Sequence, residues 1–507
     1  MSQLFSKKPL SILLEEVKGE NRLKRVLGPT ALTALGIGAI IGTGIFVLTG
    51  VAAHDKVGPA VSLSYAVAGI ACVFAALCYA EFASMVPIAG SAYTYAYATL
   101  GELFAWIIGW DLILEYAVAS ATVAHGWSHY FQDFISIFNL HVPKFLSTSP
   151  FDLSSSTGLL ISTGSVLDLP AIVIAFLITL ILVKGIKESA TFNAVIVTIK
   201  ILVVLFVIVL GAMYINTANW HPFAPFGLTG ISFFGHTVFG QTGPGGVPVG
   251  VIAGAAIIFF AYIGFDAVST QAEEAKNPQR DVPIGIITSL IICTLLYIGV
   301  SIVLTGMVPY NKINIDAPVS DAFKQVGLQW AQFIISLGAI AGITSVLLVM
   351  MLSQPRIFLA MARDGLLPKG FFGAIHDKFR TPWKATILTG IFVATLAGFL
   401  PLRLLAELVN IGTLFAFVVV CSAVLIMRKL HPEAHRPFRA PLVPLVPILG
   451  ILTCLMLMFS LPEENWYRLF GWLLLGFIIY FSYGRKHSIM HQLQNSDKKT
   501  ENVVLDK

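Results

Sequence analysis

Ionisable residues inside long apolar runs are the side chains of this sequence best suited to do chemistry, because a charge at membrane depth is costly unless it is paired or protonated. Four of them stand out: Asp111, Glu115, Lys200 and Asp266. Asp111 and Glu115 are four residues apart and share one face of a helix. Buried carboxylates and a buried ammonium can bind a charged solute or exchange a proton. Together they predict a site for a small charged molecule.

A glycine cluster lies in the first long apolar run, where residues 36–44 read GIGAIIGTG. Each glycine costs a helix interior about 1 kcal/mol relative to alanine. Loosened backbone is tolerated in a bilayer only where protein buries it or it lines a wet cavity. The cluster therefore predicts a helix broken at mid-membrane, whose free amides and carbonyls bind the solute. The alternative is that Gly42 and Gly44 only allow close helix packing.

The amino-acid composition limits which class of protein this chain can belong to. Of the 507 residues, 56% are hydrophobic and 12% are charged, against about 25% charged in soluble domains. The sequence predicts a polytopic membrane protein and not an enzyme, since no polar insertion offers room for a catalytic domain. A net charge of +5 without aromatic-basic clusters gives no indication of nucleic-acid binding. The five cysteines lie in apolar runs, and we expect no disulfide framework, metal site or cofactor.

Hydropathy predicts an all-α protein with twelve transmembrane helices. The predicted limits are 30–54, 59–86, 96–126, 168–184, 189–214, 251–272, 283–308, 326–354, 384–401, 404–428, 441–460 and 465–484. Most of the 32 lysines and arginines fall on one side of these spans. The positive-inside rule then places both termini, segments 1–28 and 485–507, in the cytoplasm.

A second break is predicted in the sixth span, where Gly264 lies mid-span and Asp266 follows closely. Breaks in spans one and six open two sets of five spans, residues 29–214 and 250–428. An odd number of spans per set inverts the second set, which is typical of transporters whose site lies between the broken helices. Two extra spans follow at 441–484. Asp266 is predicted to cap the inner half of span six, with proton relay as the alternative.

Several motifs resemble one family. GIGAIIGTGIF (36–46) resembles the first-span motif of the amino acid–polyamine–organocation (APC) superfamily. FFAYIGFDAVSTQAEEAKNPQRDVPIGI (259–286) resembles the sixth-span motif of its cationic amino acid transporter branch. Further matches are CYAEFASMVPIAGSAYTYAY (78–97), ARDGLLP (362–368) and RPFRAPLVPLVP (436–447). The resemblance implies amino acid transport and the leucine-transporter-type fold, a 5+5 inverted repeat with two further helices.

The resemblance also implies how the breaks bind a zwitterion. Amides near Gly42, Thr43 and Gly44, with the Thr43 hydroxyl, would donate to the substrate carboxylate. Carbonyls before each break would accept from its ammonium. These carbonyls belong to the region of Ile40 in span one and of Phe260, Ala261 and Ile263 in span six. Backbone recognition does not read the substrate side chain, so it predicts broad selectivity.

Three side chains are candidates for trimming or gating the site. Glu115 is interpreted as a residue of the substrate site, and the alternative is a structural hydrogen bond to unwound backbone. Asp111 is interpreted as structural or gating. Family members that accept arginine well tend to have a smaller residue at the position of Met350. Met350 would therefore shorten the pocket and favour small neutral amino acids, unless it only fills space.

Lys200 is the candidate for proton coupling. In the resembled fold its position faces the place where sodium-driven relatives hold a sodium ion. An ammonium there would replace the cation and bridge carbonyls of spans one and eight. Burial disfavours a charged ammonium, so the group could load and release a proton. This implies sodium independence; the alternative is a permanently charged structural lysine.

We therefore predict a secondary active transporter of the bacterial plasma membrane. It would take up small neutral, and as a further class cationic, L-amino acids with protons by alternating access. Its expected partners are the amino acid, protons and membrane lipid, with no nucleic acid, and we expect a monomer. The alternatives are an exchanger or facilitator of cationic amino acids, and a transporter-like receptor that binds amino acids without moving them.

Overall fold

The chain folds almost entirely into helices. The computed structural model describes residues 3–9, 25, 27–86, 91–153, 160–184, 190–243, 246–379 and 381–492. Its α-helices are α1 Pro29–Ile40, α2 Thr49–Ala52, α3 Val61–Met85, α4 Ser91–Thr99, α5 Glu102–Ser136, α6 Leu169–Lys184, α7 Ala190–Ala212, α8 Val251–Ile258, α9 Pro278–Met307, α10 Pro318–Gln325, α11 Gln329–Arg363, α12 Lys369–Phe372, α13 Trp383–Phe399, α14 Leu402–Leu430, α15 Leu445–Phe459, α16 Glu463–Ile479 and α17 Arg485–His487. The predicted terminal segments 1–28 and 485–507 lie largely outside the described residues.

Short strands and tight helical turns connect these helices. Three two-stranded antiparallel sheets pair β1 Phe151–Leu153 with β2 Leu160–Ser162, β3 Ile231–Phe233 with β4 His236–Phe239, and β5 Gln241–Thr242 with β6 Pro248–Val249. The π-helical segments are Gly44–Leu48, Ala53–Val57 and Tyr480–Gly484. The 3-10 segments are Gln3–Phe5, Gly58–Ala60, Lys144–Leu146, Thr217–Trp220, Phe259–Tyr262, Asp266–Glu274 and Tyr310–Lys312.

The helices give the chain its membrane character. Seven described helical stretches are long and apolar enough to cross a membrane, and the number rises to eight if α15 and the helix after it form one bent span. Those two helices meet at 109°. Three shorter apolar helices are α1, α6 and α13. The chain is a multi-pass membrane protein, and its predicted number of twelve spans stays a prediction.

The bounds of the third predicted span, 96–126, are wrong. Helix α5 begins after Gly101, which has a φ of +106°, and it runs on to Ser136. Its last turns looked like a polar loop because of residues such as Asp133. That carboxylate is satisfied by helix α11, since Ser336 Oγ donates to it at 2.6 Å and Gln332 Nε2 at 3.1 Å. Pairing across helices therefore keeps a polar stretch helical.

The first apolar run lies at the centre of the helical bundle. Helix α1 packs against α7, α9 and α11, while α5 packs against α11 and α14. Every residue from 36 to 53 is buried. This burial removes the glycine-rich backbone from lipid, as its unpaired polar groups require.

Glu81 of α3 pairs with residues far along the chain. Its carboxylate accepts from Arg428 Nε at 3.0 Å, from Arg428 Nη2 at 2.7 Å and from the Ala440 amide at 2.8 Å. The side chain of Glu81 is 2% exposed and that of Arg428 is 27% exposed. The pair joins α3 to α14 and to the segment that follows α14.

We expect Glu81→Ala to lower the apparent melting temperature of the purified full-length protein by several degrees. Breaking a buried ion pair costs about 3–5 kcal/mol, and partial exposure of the arginine reduces that cost. Thermal unfolding in detergent, followed by tryptophan fluorescence, measures the change. Glu433→Ala is the matched control, because the Glu433 side chain is 72% exposed. Equal melting temperatures for both variants and the parent would contradict the structural role.

Candidate functional site

The predicted break in the first apolar run is present. Helix α1 ends at Ile40, and Ile41 takes an extended conformation with φ −73° and ψ 104°. A π-helical segment then begins at Gly44. The Ile41 amide still donates to the Ile37 oxygen at 2.9 Å, and the Phe46 amide donates to the Gly42 oxygen at 3.2 Å. The last carbonyls of α1 and the first amides of the next segment nevertheless meet here as helix ends, inside a buried part of the bundle.

The predicted second break is present as well. Helix α8 ends at Ile258, a 3-10 turn follows, and Ile263 is extended with ψ 132°. Gly264 has a φ of +119°, a conformation that glycine adopts without a steric cost. The Asp266 carboxylate turns back to this break, where it accepts from the Gly264 amide at 3.2 Å and the Tyr116 hydroxyl at 3.0 Å. Asp266 thus holds the break together, and its predicted cap of the following helical segment stays a prediction.

The two breaks pack against each other reciprocally. A Cβ atom at Gly44 would lie 2.4 Å from the Cα of Ala261, and one at Gly264 would lie 2.9 Å from the carbonyl oxygen of Ala39. Each glycine therefore faces the backbone of the other break. This close approach, more than flexibility, explains why these two positions hold glycine.

Side chains from other helices pair the carbonyls that the breaks release. The Tyr297 hydroxyl of α9 lies 2.7 Å from the Ile40 oxygen and 2.8 Å from the Ala261 oxygen, so one group serves both breaks. Asn410 Nδ2 of α14 donates to the Ala256 and Ile257 oxygens at 2.8 and 2.9 Å. Sequence reasoning missed both residues. Asn410 carried a signal, being a lone amide in an apolar run, whereas Tyr297 carried none.

A small cavity lies between the two breaks. Seven of the predicted substrate residues line it: Ile40, Gly42, Thr43, Gly44, Phe260, Ile263 and Met350. Four residues that were not predicted complete the wall: Ala39, Ala119, Val123 and Val346. The volume open to the centre of a water molecule is only about 10 Å³. The cavity therefore has room for about one water molecule. It is too small for an amino acid, and binding of a larger solute requires the surrounding helices to separate.

Thr43 offers an unused polar group to this cavity. Its Oγ1 is buried and has no hydrogen-bond partner among the described residues. The Thr43 side chain packs on Gly126 of α5, since a Cβ there would lie 2.4 Å from Thr43 Cγ2 and 2.8 Å from Thr43 Oγ1. Thr43 thus brings a hydroxyl without a partner among the described residues to the wall of the cavity.

Glu115 and Asp111 lie beside the cavity rather than in its wall. Ala119, one turn after Glu115 on α5, lines the cavity in its place. The carboxyl oxygens of both acids are buried without hydrogen-bond partners in the part of the chain that the structure describes. Glu115 neighbours Asp111, Asp266 and the Thr413 hydroxyl. Glu115 therefore does not line the cavity in this conformation. Ala261 likewise packs against Gly44 without lining the cavity.

Lys200 of α7 reaches the first break. Its Nζ donates to the Gly38 oxygen at 2.7 Å and to the Ile41 oxygen at 3.0 Å, and the residue is 1% exposed. The contact between Lys200 and span eight is one of packing, not the predicted contact between the ammonium and a carbonyl of that span. Helix α11 contributes Gly342, where a Cβ would lie 3.3 Å from Lys200 Cγ. The aliphatic part of the lysine therefore packs on α11, while its Nζ atom donates to carbonyls of the first span.

Polar clusters lie towards the two ends of the bundle. At one end Arg403 lies 3.7 Å from Asp55 and 3.5 Å from Glu407. At the other end Lys8 Nζ pairs with Asp364 at 2.9 Å. The side chains of these pairs are only 8–14% exposed, so a motion that breaks them leaves buried charges unpaired and is costly.

Comparison with known proteins agrees with this architecture. The sequence profile described as amino acid permease matches residues 27–480. The methylthioribose transporter of Bacillus subtilis (strain 168) is 49% identical over 492 residues, which cover 97% of this chain and 100% of that protein. The branched-chain amino acid permease BcaP of the same organism is 48% identical, with 96% and 99% covered.

Plant relatives are also similar to this chain. The vacuolar cationic amino acid transporter 4 of Arabidopsis thaliana is 39% identical over 440 residues, which cover 85% of this chain and 68% of that protein. These relatives are transporters and permeases, not enzymes. With its matched profile, its apolar helices and its two broken segments, this chain belongs to the amino acid permease family.

Proposed function

We propose that this protein moves α-amino acids across the plasma membrane of a bacterial cell by alternating access. The observation that carries the proposal is the cavity between two broken helices, where amide groups, carbonyl groups and one unpaired hydroxyl meet. An α-amino acid needs donors for its carboxylate and acceptors for its ammonium. Broken helices near mid-membrane supply both without a buried permanent charge.

The binding mode follows from the two breaks. The substrate carboxylate accepts from the amides of Gly42 and Gly44 and from the unpaired Thr43 hydroxyl. The ammonium donates to the carbonyl of Ile40, which lines the cavity, and to that of Ala261 once the surrounding helices separate. Each of these oxygens already faces the Tyr297 hydroxyl, but a carbonyl has two lone pairs and can accept a second donor.

The wall of the cavity favours a neutral side chain. Ala119, Val123, Val346 and Met350 are apolar, and an unpaired cationic side chain against them would lose its hydration. Small aliphatic amino acids are therefore the proposed substrates. Cationic amino acids are secondary candidates, since they would have to reach the carboxyl group of Glu115 beyond the cavity wall.

The proposed architecture is a pair of inverted five-helix repeats, residues 29–214 and 250–428, followed by two helices within 441–484. The reciprocal packing of Gly44 on Ala261 and of Gly264 on Ala39 supports it, because inverted repeats place their broken helices against each other. Twelve spans leave both termini in the cytoplasm, where the positive-inside rule also places them.

A neutral thiosugar is the second candidate substrate class, because the methylthioribose transporter is 49% identical to this chain. A sugar has no carboxylate or ammonium and would leave the polar ends of both breaks without charged partners. Uptake of radiolabelled alanine and leucine into proteoliposomes, with unlabelled methylthioribose as competitor, separates the two classes. Accumulation of the amino acids supports the proposal. Binding without uptake would indicate a receptor, and uptake of methylthioribose alone would overturn the amino acid assignment.

Proton coupling through Lys200 is the proposed energy source. The lysine places its own cation between α7 and the first break, within reach of the Gly38 and Ile41 carbonyls. Loss of its proton would leave a neutral amine, whose hydrogen bonds to both carbonyls are weaker than those of a charged ammonium. The break would loosen as a result, so protonation and the conformation of the site are coupled. Exchange of amino acids without protons is the alternative, and counterflow with and without a pH gradient distinguishes the two modes.

Met350 is proposed to set the length of the side-chain pocket, since it lines the cavity and is 2% exposed. We expect Met350→Ser to raise arginine uptake relative to alanine uptake by about tenfold, the lower end of the effect of small changes in an apolar pocket. Competitive uptake in proteoliposomes measures the ratio. Met351→Ser is the matched control, because Met351 is equally buried but does not line the cavity. An unchanged ratio in a folded Met350→Ser protein would contradict the placement of this side chain.

A further inference from the structure

Two histidines and an aspartate meet outside the cavity. His125 and His129 are one turn apart on α5, and Asp168 directly precedes α6. Ligating atoms of the three side chains all lie within 4.8 Å of one another. His125 Nδ1 is 3.0 Å from Asp168 Oδ2, and these side chains are 3% and 0% exposed. The proposed transport mechanism uses none of these groups.

Two atoms of this cluster have an ionisable neighbour but no well-formed hydrogen bond. Asp168 Oδ2 and His129 Nδ1 are buried and have no hydrogen bond of normal geometry within the described residues. Asp168 Oδ1, by contrast, accepts from Ser128 Oγ at 2.6 Å and from the Ala171 amide at 3.1 Å. One oxygen therefore fixes the carboxylate at the start of α6, and the other is left facing the histidines.

A second carboxylate borders the cluster. Asp316 Oδ1 lies 3.1 Å from His129 Nδ1, and its side chain is 63% exposed. Other polar neighbours among the described residues are the Ala397 carbonyl, 3.4 Å from His125 Nδ1, and Gln132, which donates to Ser128 Oγ at 3.0 Å. The cluster is thus open to solvent on the side of Asp316 and closed on the side of Asp168.

We propose that His125, His129 and Asp168 form a binding site for a divalent transition metal ion, with Asp316 as the fourth ligand. Two histidines four residues apart on one helix face present their imidazoles to the same ion. Imidazole and carboxylate ligands suit Zn²⁺ in a tetrahedral site, whereas Ca²⁺ and Mg²⁺ prefer oxygen alone. Ser128 and the Ala171 amide hold the Asp168 carboxylate, as second-shell groups do in metal sites.

The geometry requires only a modest closure on metal binding. Ligands at 2.0–2.2 Å from a tetrahedral ion lie about 3.3–3.5 Å apart. Because the ligating atoms all lie within 4.8 Å of one another, no separation has to shrink by more than about 1.5 Å. Changes of side-chain rotamer and the exposed position of Asp316 allow this. The bound ion would join α5 to the start of α6 and to the segment before α10, at the end of the bundle predicted to be external. It would therefore hold together parts of the protein that are far apart in sequence.

Co²⁺ titration of the full-length protein tests the site, because tetrahedral Co²⁺ with nitrogen and oxygen ligands gives a visible absorption band. The protein is purified in detergent without a histidine tag and stripped with a chelator. We expect one Co²⁺ per chain, displaced by Zn²⁺ but not by Ca²⁺ or Mg²⁺. We expect His125→Ala and His129→Ala to weaken binding by more than the roughly 10–100-fold that loss of a second-shell partner causes.

Two further variants keep the test decisive if the buried histidine variants fail to fold. Asp316→Asn changes an exposed side chain and should weaken Co²⁺ binding by about tenfold or more. His236→Ala changes an exposed histidine on β4 and should leave binding unchanged. The proposal would be overturned by the lack of a stoichiometric, Zn²⁺-displaceable band in the parent protein, or by equal affinities of the parent and Asp316→Asn. Metal binding is measured without uptake, so failure here is distinct from failure of the transport proposal.

Discussion

Replacing Lys200 with alanine should abolish pH-driven amino acid uptake while the protein remains folded in the membrane. The ammonium donates hydrogen bonds to the Gly38 and Ile41 oxygens, at 2.7 and 3.0 Å. Each buried carbonyl left without a donor costs about 1–3 kcal/mol. Two losses of about 1.4 kcal/mol correspond to about a 100-fold change in equilibrium. We therefore expect at least this reduction in initial uptake rate.

Uptake into proteoliposomes in sodium-free buffer, with and without an imposed pH gradient, measures this effect. Lys200→Met separates charge from volume, because methionine keeps much of the stem that packs on Gly342. It should be as inactive as the alanine variant in pH-driven uptake, yet retain more amino acid exchange. Lys324→Ala removes an exposed lysine and should behave like the parent. Undiminished, pH-dependent uptake by folded Lys200→Ala would refute proton coupling through this residue.

The second large effect is expected from a single methyl group at Gly44. Its Cβ would lie 2.4 Å from Ala261 Cα and 2.5 Å from Ala261 Cβ, so the two breaks would have to separate. Overpacking of this kind costs about 1–3 kcal/mol or more. Because the separation displaces the amides and carbonyls that bind substrate, we expect Gly44→Ala to weaken amino acid binding by about 10–100-fold.

Thermal-shift titration with the preferred amino acid measures binding independently of transport. Gly471→Ala is the matched control, because a methyl at this exposed position of α16 meets no atom within 4 Å and alanine favours a helix. Size-exclusion chromatography of both variants checks that they remain folded. Binding by folded Gly44→Ala with the affinity of the parent would show that the contact between the breaks does not organise the site.

The sequence was most informative where its composition is unusual for a helix. Four glycines in nine residues of an apolar run are energetically unfavourable in an intact helix, and this alone located the interruption after Ile40. The position of Lys200 against the first break came from the resemblance to a family, since hydropathy shows only that the residue is buried. Its packing on Gly342 of α11 depends on the crossing of two helices, which no pattern within either helix encodes.

The parts that could not be predicted depend on tertiary contacts. Tyr297 is one of 14 tyrosines in the chain, and its role follows only from the rotation of α9 towards both breaks. The sequence alone predicts a loop at the polar end of α5. The partners that keep it helical, Ser336 and Gln332, lie about 200 residues away on α11. Glu115 was expected in the wall of the site, but a one-turn difference in depth puts Ala119 there. Such a difference is within the uncertainty of any span boundary.

The reciprocal contact between the breaks also constrains how this protein can diverge. The obstacle to a methyl at Gly44 is the Ala261 Cα, and the obstacle at Gly264 is the Ala39 carbonyl. Both obstacles are backbone atoms, so no single substitution on the facing segment can remove them. We expect descendants of this chain to keep both glycines and to acquire new substrates through wall positions such as Val346 and Met350. The part of the site that reads what all amino acids share is then inherited unchanged, while the part that distinguishes them is free to evolve.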